Sequence, residues 1–181
     1  MALTWVFRES CERIAVEYRR KLGNRFAYDA LPASELLDDL HITIVSPESL
    51  QYLTLTAEQR QHLETVSGGV VSIAPIVVLY NPSHSPARHE SNMMHECAHI
   101  ILKHPMIPFD PALPFPPRDP KCEEEAIYLG GCLQIPKRGL LWAIQKGVNV
   151  EQTANHFGAS TEMVYYRANV LRLRKHIDAN W

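Results

Sequence analysis

One five-residue run constrains the fold more than any other: His95-Glu96-Cys97-Ala98-His99. It lies in a stretch with helical apolar spacing, where Met94, Ala98, Ile101 and Leu102 mark a core-facing side. Positions four apart on a helix share a face, so the two imidazoles project side by side, one turn apart. Two imidazoles so placed can take two corners of a tetrahedral zinc site. Glu96 stands next to them as a carboxylate able to accept a proton from water at the metal. A chain built on this helix must bring a second element against it to supply a third donor. It must also leave room for a substrate, and the pattern points to hydrolysis of peptide bonds.

The 181 residues suffice for one core, or for a domain with a small appendage. Apolar content of 46% and charged content of 21% are those of a globular chain. A net charge of -2 gives no global attraction to nucleic acid or acidic membranes. Met1 to Arg20 mixes charges with apolar residues, so neither a signal peptide nor a membrane span is expected there, and the expected location is cytoplasmic. The four cysteines, Cys11, Cys97, Cys122 and Cys132, form no C-x-x-C pair. They read as reduced, buried hydrophobes rather than as a disulfide framework or a cysteine-based zinc site.

The chain's punctuation predicts the remaining elements. Residues 5–22 read as an amphipathic helix ended by Gly23 and Asn24, and Pro32 and Ser34 open a short helix through Leu40. His41 to Val45 alternates as a strand, and a helix is expected over Thr56 to Val66. Gly68-Gly69 reads as a turn before a strand or bent strand pair over Val70 to Tyr80, interrupted by Pro75. The motif helix spans 87–103. The seven prolines within 105–120 exclude regular structure there. Helices follow over 121–134 and from Pro136 to Gly147. Val150 to Phe157, Gly158-Ala159-Ser160 and Thr161 to Lys175 then make a helix-turn-helix pattern.

Four residues compete to be the third donor. His104 lies five residues beyond His99, but no glycine intervenes, so the helix is expected to continue and turn His104 away. Glu123, Glu124 and Glu125 open the next helix, where its dipole favours negative charge. Helix phase puts Glu123 in line with Ala126, Ile127 and Gly130, a small apolar face able to pack closely. Glu125 aligns with Leu129 and Cys132 and is second choice; Glu124 reads as solvated. A carboxylate on an apolar face needs a partner, and a metal ion is one.

Two motifs in register carry a resemblance. Val77-Val78-Leu79-Tyr80-Asn81 ends a strand, Arg88 follows in the loop, and His95 to His99 comes next. After the variable connection come Glu123-Glu124-Glu125-Ala126, Leu129-Gly130, Leu133 and Pro136. Over roughly residues 20–170 the chain resembles the ImmA/IrrE-type metallopeptidases. The resemblance implies zinc bound by His95, His99 and Glu123, with Glu96 as the general base. It implies a protein substrate, a helix-turn-helix repressor or antitoxin-like regulator, cut in a stress or mobile-element switch. The chain departs from the usual pattern at Ile127, where a polar Asn or Asp is common, and at Cys97-Ala98.

The expected architecture is α+β, mostly helical and zincin-like with a small sheet. A metallopeptidase domain is expected over 1–147, and a helix-turn-helix-like extension packed on it over 148–181. A zinc-stabilised regulatory or partner-binding module without turnover is the alternative. DNA contact would use the basic residues Arg167, Arg172, Arg174 and Lys175, and the absence of global positive charge argues against it. His104, Arg88, Tyr165 and Tyr166 are the candidate donors to a developing oxyanion.

Overall fold

The computed structural model describes residues 3–50, 56–58, 68–108 and 119–178. Helix α1, Trp5–Lys21, starts where the Thr4 hydroxyl accepts the Phe7 N–H at 3.2 Å. It ends at Leu22, after which Gly23 and Asn24 take positive φ values of 132° and 53°. Helix α2, Ala33–Asp39, begins after Pro32, which has no capping side chain. The cap comes instead from a distant residue, since the carboxylate of Glu90 accepts the Ala33 N–H at 2.5 Å. Strand β1, Ile42–Val45, follows, and Pro47–Leu50 closes the segment as a single 3-10 turn.

Gly68 and Gly69 are not a turn but the first residues of strand β2, Gly68–Ile73. They pair with Tyr80 and Leu79 of strand β3, Ile76–Tyr80, so the ladder itself holds them extended. Pro75 supplies the break expected in this stretch, between two antiparallel strands. The three strands are ordered β1-β3-β2, with β1 parallel to β3 through Ile42↔Ile76 to Val45↔Leu79. Of the helix expected over Thr56 to Val66, residues 59–66 lie outside the described residues, as does 109–118 of the proline-rich connection.

Helix α3, Pro86–Ile101, carries the motif, and α4, Pro120–Gln134, lies against it. Helices α5, Lys137–Gln145, α6, Val150–His156, α7, Thr161–Val170, and α8, Arg174–Asp178, complete the chain. The single helix expected from Thr161 to Lys175 is therefore two. Arg172 adopts φ 60°, and the Leu173 N–H folds back to the Ala168 carbonyl at 2.7 Å. That turn brings α8 back over α7 and buries Ile177. The architecture is α+β and mostly helical, as the sequence predicts.

Two apolar clusters hold the molecule. One gathers α1, α2, β1, β3, α3 and α4 around Leu36, Val78, Met94, Leu129 and Leu133. The other begins at Ile135 and joins α5 to α8 through Leu140, Ala154, Phe157 and Val164. Gln134 links them: its side chain accepts from Ser91 Oγ at 2.8 Å and donates to the Gly158 carbonyl at 3.0 Å, and its backbone carbonyl accepts from buried Arg19. Arg167 makes a second link. It is fully buried, paired with Glu12 and bonded through Nε to the Ile135 carbonyl at 2.8 Å.

Candidate metal centre

The start of α3 is fixed by local chemistry. Asn81, buried at the end of β3, accepts from the backbone and hydroxyl of Ser83 at 2.9 and 2.6 Å. Ser85 caps the helix and Pro86 occupies its first turn. From that start the helical repeat puts Met93, Met94, Cys97 and Ala98 into the core. His95 and His99 are left facing α4.

Gly130 lets α4 come close. A Cβ at this position would lie 3.2 Å from His95 Cα and N. The two helix backbones therefore nearly touch, two turns from Glu123. The carboxylate of Glu123 reaches both imidazoles, with Oε2 3.3 Å from His95 Nε2 and Oε1 3.2 Å from His99 Nε2. The two Nε2 atoms are 3.1 Å apart. Among the described residues, these three are the group whose donor atoms lie close enough to share one ion, all within 4.8 Å.

The spacing fits zinc. With bonds of about 2.0–2.1 Å, the edge of a tetrahedron is about 3.3 Å. The separations of 3.1 to 3.3 Å are those of three such corners. His95 and Glu123 keep 21% and 28% of their side chains exposed, so the donors face an open side. Glu96 is buried, and its Oε1 lies 3.5 Å from where a Cβ on Gly68 would stand. The start of edge strand β2 thus runs over this carboxylate, with no side chain between them.

The sequence candidates sort as follows. Glu124 lines a cleft of 460 Å³ together with Glu123, Leu3, Arg8, Ile127 and Tyr166. Ile127 does not join the packed face expected for Glu123; it is 47% exposed, while Ala126 and Gly130 are buried. Glu125 turns from the three donors to His104 Nε2, at 3.1 Å. Cys97 is fully buried in the core, and burial followed by the charge of Glu96 pushes its thiol up to about 12. Of the oxyanion candidates, Tyr166 shares the cleft with Glu123, Tyr165 lies under the Arg174 guanidinium at 3.8 Å, and Arg88 is exposed near the start of α3.

His104 overturns the sequence expectation. It does not point away: its Nδ1 is 3.0 Å from His99 Nδ1, and the residue is buried. The helix ends in a Schellman turn without glycine. Lys103 takes φ 57°, its N–H bonds to the Ile100 carbonyl, and the His104 N–H bonds back to the His99 carbonyl at 2.9 Å. The missing glycine was the wrong signal, because a lysine can adopt this backbone at modest cost when packing rewards it.

The helix-turn-helix pattern is present as α6 and α7, with Gly158 at φ 60° between them. Ala154, Phe157 and Val164 belong to the second core. Arg167, expected among the basic surface residues, is instead a buried strut to Glu12 and is unable to meet phosphate. Among the described residues, no helix is long and apolar enough to cross a membrane.

Comparison with known proteins agrees with this architecture. A family model of the M78 peptidases, described as the IrrE N-terminal-like domain, matches residues 49–169. The matched segment contains both α3 and α4. No curated protein matches the chain. Among solved structures, a Mycobacterium tuberculosis transcriptional regulator is similar at 17% identity and a TM-score of 0.58, over 96% of this chain and 50% of that one. This chain spans about half the length of that regulator, and at such identity the likeness is one of fold.

Proposed function

We propose that this chain, which belongs to the family of IrrE N-terminal-like domains, is a zinc-dependent endopeptidase that cuts a regulatory protein. One observation carries the reading. Three donors from two helices stand 3.1 to 3.3 Å apart, with a buried glutamate next to the first histidine.

His95, His99 and Glu123 would hold the ion. Zinc in that position supplies Lewis acidity toward water and the scissile carbonyl. Glu96 is the general base: it accepts a proton from water during attack and delivers it to the leaving amine. Its burial beneath β2 restricts its motion and keeps bulk solvent from competing for that proton. The edge of β2 and the open side at His95 and Glu123 give an extended peptide a route to the site.

The substrate we propose is a helix-turn-helix repressor or antitoxin-like regulator, met in the cytoplasm; membership in this family and the resemblance to ImmA/IrrE-type enzymes support that reading. The likeness in fold to a transcriptional regulator supports a regulatory setting. The test pairs purified wild type with Glu96→Gln, each with one equivalent of zinc, against repressors encoded near this gene. Wild type is expected to cleave one of them, whereas Glu96→Gln binds zinc equally but leaves it intact. Cleavage retained by Glu96→Gln would remove the role given to this residue. Regulation of the repressor by both proteins without cleavage would favour a zinc-stabilised binding module.

A further inference from the structure

We infer that the cleft beside Glu123 receives a large apolar side chain of the protein substrate, from a residue flanking the scissile bond. Ile127 is the specificity-determining residue in its wall. This assignment rests on the reading of His95, His99 and Glu123 as the metal site of an endopeptidase.

Position is the first support. Glu123 and Ile127 are four residues apart on α4, so they share a face and stand one turn, about 5.4 Å, apart. The carboxylate of Glu123 reaches the two imidazoles, and the same residue helps to line the cleft. Successive Cα atoms of a peptide are about 3.8 Å apart, so a side chain resting on Ile127 belongs to a residue next to the bond at the metal. Leu3, ahead of α1, and Val170, at the end of α7, also line the cleft, and both pack partly buried against the first core. Three separate elements thus fix its apolar walls.

The chemistry of the walls selects the occupant. Ile127 is 47% exposed, and covering it removes apolar surface from water. Its place in the resembling family is commonly polar, so this apolar wall is a feature of this chain. Glu123 and Glu124 at the cleft disfavour an acidic side chain, and Arg8 disfavours a basic one. The Arg8 guanidinium lies over the Tyr128 ring, 5.6 Å from its centroid, and its buried Nε has no hydrogen-bond partner among the described residues. A peptide carbonyl oxygen supplies an acceptor for this group, and every residue carries one. Arg8 therefore helps to hold the main chain, while the neutral walls choose the side chain. The volume of 460 Å³ falls within the range of about 300–1,000 Å³ found for ligand pockets.

The test has two arms, both on the full chain with one equivalent of zinc. In the first, the isoleucine, leucine and valine methyl groups carry ¹³C, and N-acetyl-phenylalaninamide is titrated in, with N-acetyl-asparaginamide as the polar control. The Leu3, Ile127 and Val170 methyl resonances are expected to shift saturably with the phenylalanine probe and to ignore the asparagine probe. Ile127→Asn, at an exposed position that leaves the fold intact, should abolish the Leu3 and Val170 shifts. In the second arm, a mixture of random-sequence peptides is digested and the cuts are located by mass spectrometry. Wild type is expected to prefer a large apolar residue over asparagine at one position flanking the cut by about 10–200-fold. Ile127→Asn should bind zinc equally and lose most of that preference. Methyl resonances that stay still, or that move equally with both probes, would overturn the inference. So would an apolar preference retained by Ile127→Asn. Cleavage without any side-chain preference would remove the pocket and leave the endopeptidase reading standing. Methyl shifts without cleavage would remove the endopeptidase reading and support the cleft as the side-chain pocket of a binding module.

Discussion

Replacing Gly130 by alanine would put a methyl carbon 3.2 Å from His95 Cα and N, and 3.3 Å from the Met94 carbonyl carbon. Carbon contacts are optimal at about 3.5–4.0 Å, so the methyl is a few tenths of an ångström too close. The atoms it meets are helix backbone and cannot rotate aside, so α4 must retreat from α3. Overpacking of this kind costs about 1–3 kcal/mol. Alanine recovers about 0.8–1.0 kcal/mol of helix propensity over glycine. The net is a destabilisation of about 1 kcal/mol, or about 2–4 °C in Tm for a chain of this size. The larger effect falls on the site. Glu123 lies two turns away on the same helix, and its oxygens stand 3.2 and 3.3 Å from the two imidazoles. A retreat of a few tenths of an ångström spoils that spacing, and each tenfold loss in affinity removes about 1.4 kcal/mol of zinc stabilisation. Melting curves of wild type and Gly130→Ala, metal-free and at fixed free zinc, measure both terms. A higher metal-free Tm together with an undiminished zinc increment would refute the close-approach argument.

Two further outcomes follow from buried groups. Arg167→Ala leaves Glu12 without its buried partner and removes the bond to the Ile135 carbonyl; urea unfolding at pH 7 should show a loss of about 3–5 kcal/mol, and a loss below 1 kcal/mol would mean the strut is dispensable. Native alkylation with iodoacetamide at pH 8 should modify Cys122 first. Cys11, Cys97 and Cys132 are fully buried, and their thiols are raised mainly by burial, Cys11 and Cys97 to about 12, which keeps them protonated at that pH. Mass spectrometry showing equal labelling of all four before unfolding would contradict this placement.

Short-range signals carried most of the architecture. The 3.6-residue repeat around His95 and His99, with Ser85 and Pro86 ahead of it, is enough to specify α3 and the side on which two imidazoles stand. Asn149 and Gln152 form the capping box that starts α6, and Gly147 closes α5 before it. The small residues Ala126 and Gly130 marked the face of α4 that approaches α3, and Glu123 lies at its end. That reasoning erred at Ile127, since a helical face read from sequence is wider than the strip that actually touches a neighbour, and this residue lies at its exposed edge.

What sequence alone determined was local: which segments coil, where they start, and which donors share a face. Tertiary structure decided whatever depends on residues far apart. Lys103 and Arg172 adopt left-handed backbone without glycine because the chain folding back over buried His99 and Ala168 outweighs a small local penalty. Gly68 and Gly69 became strand because β3 offered them a ladder. Arg167, a surface cation by its spacing, was buried by Glu12, 155 residues away. Charge burial and ladder pairing need a partner that no local window contains, so they were settled only when the helices and strands met.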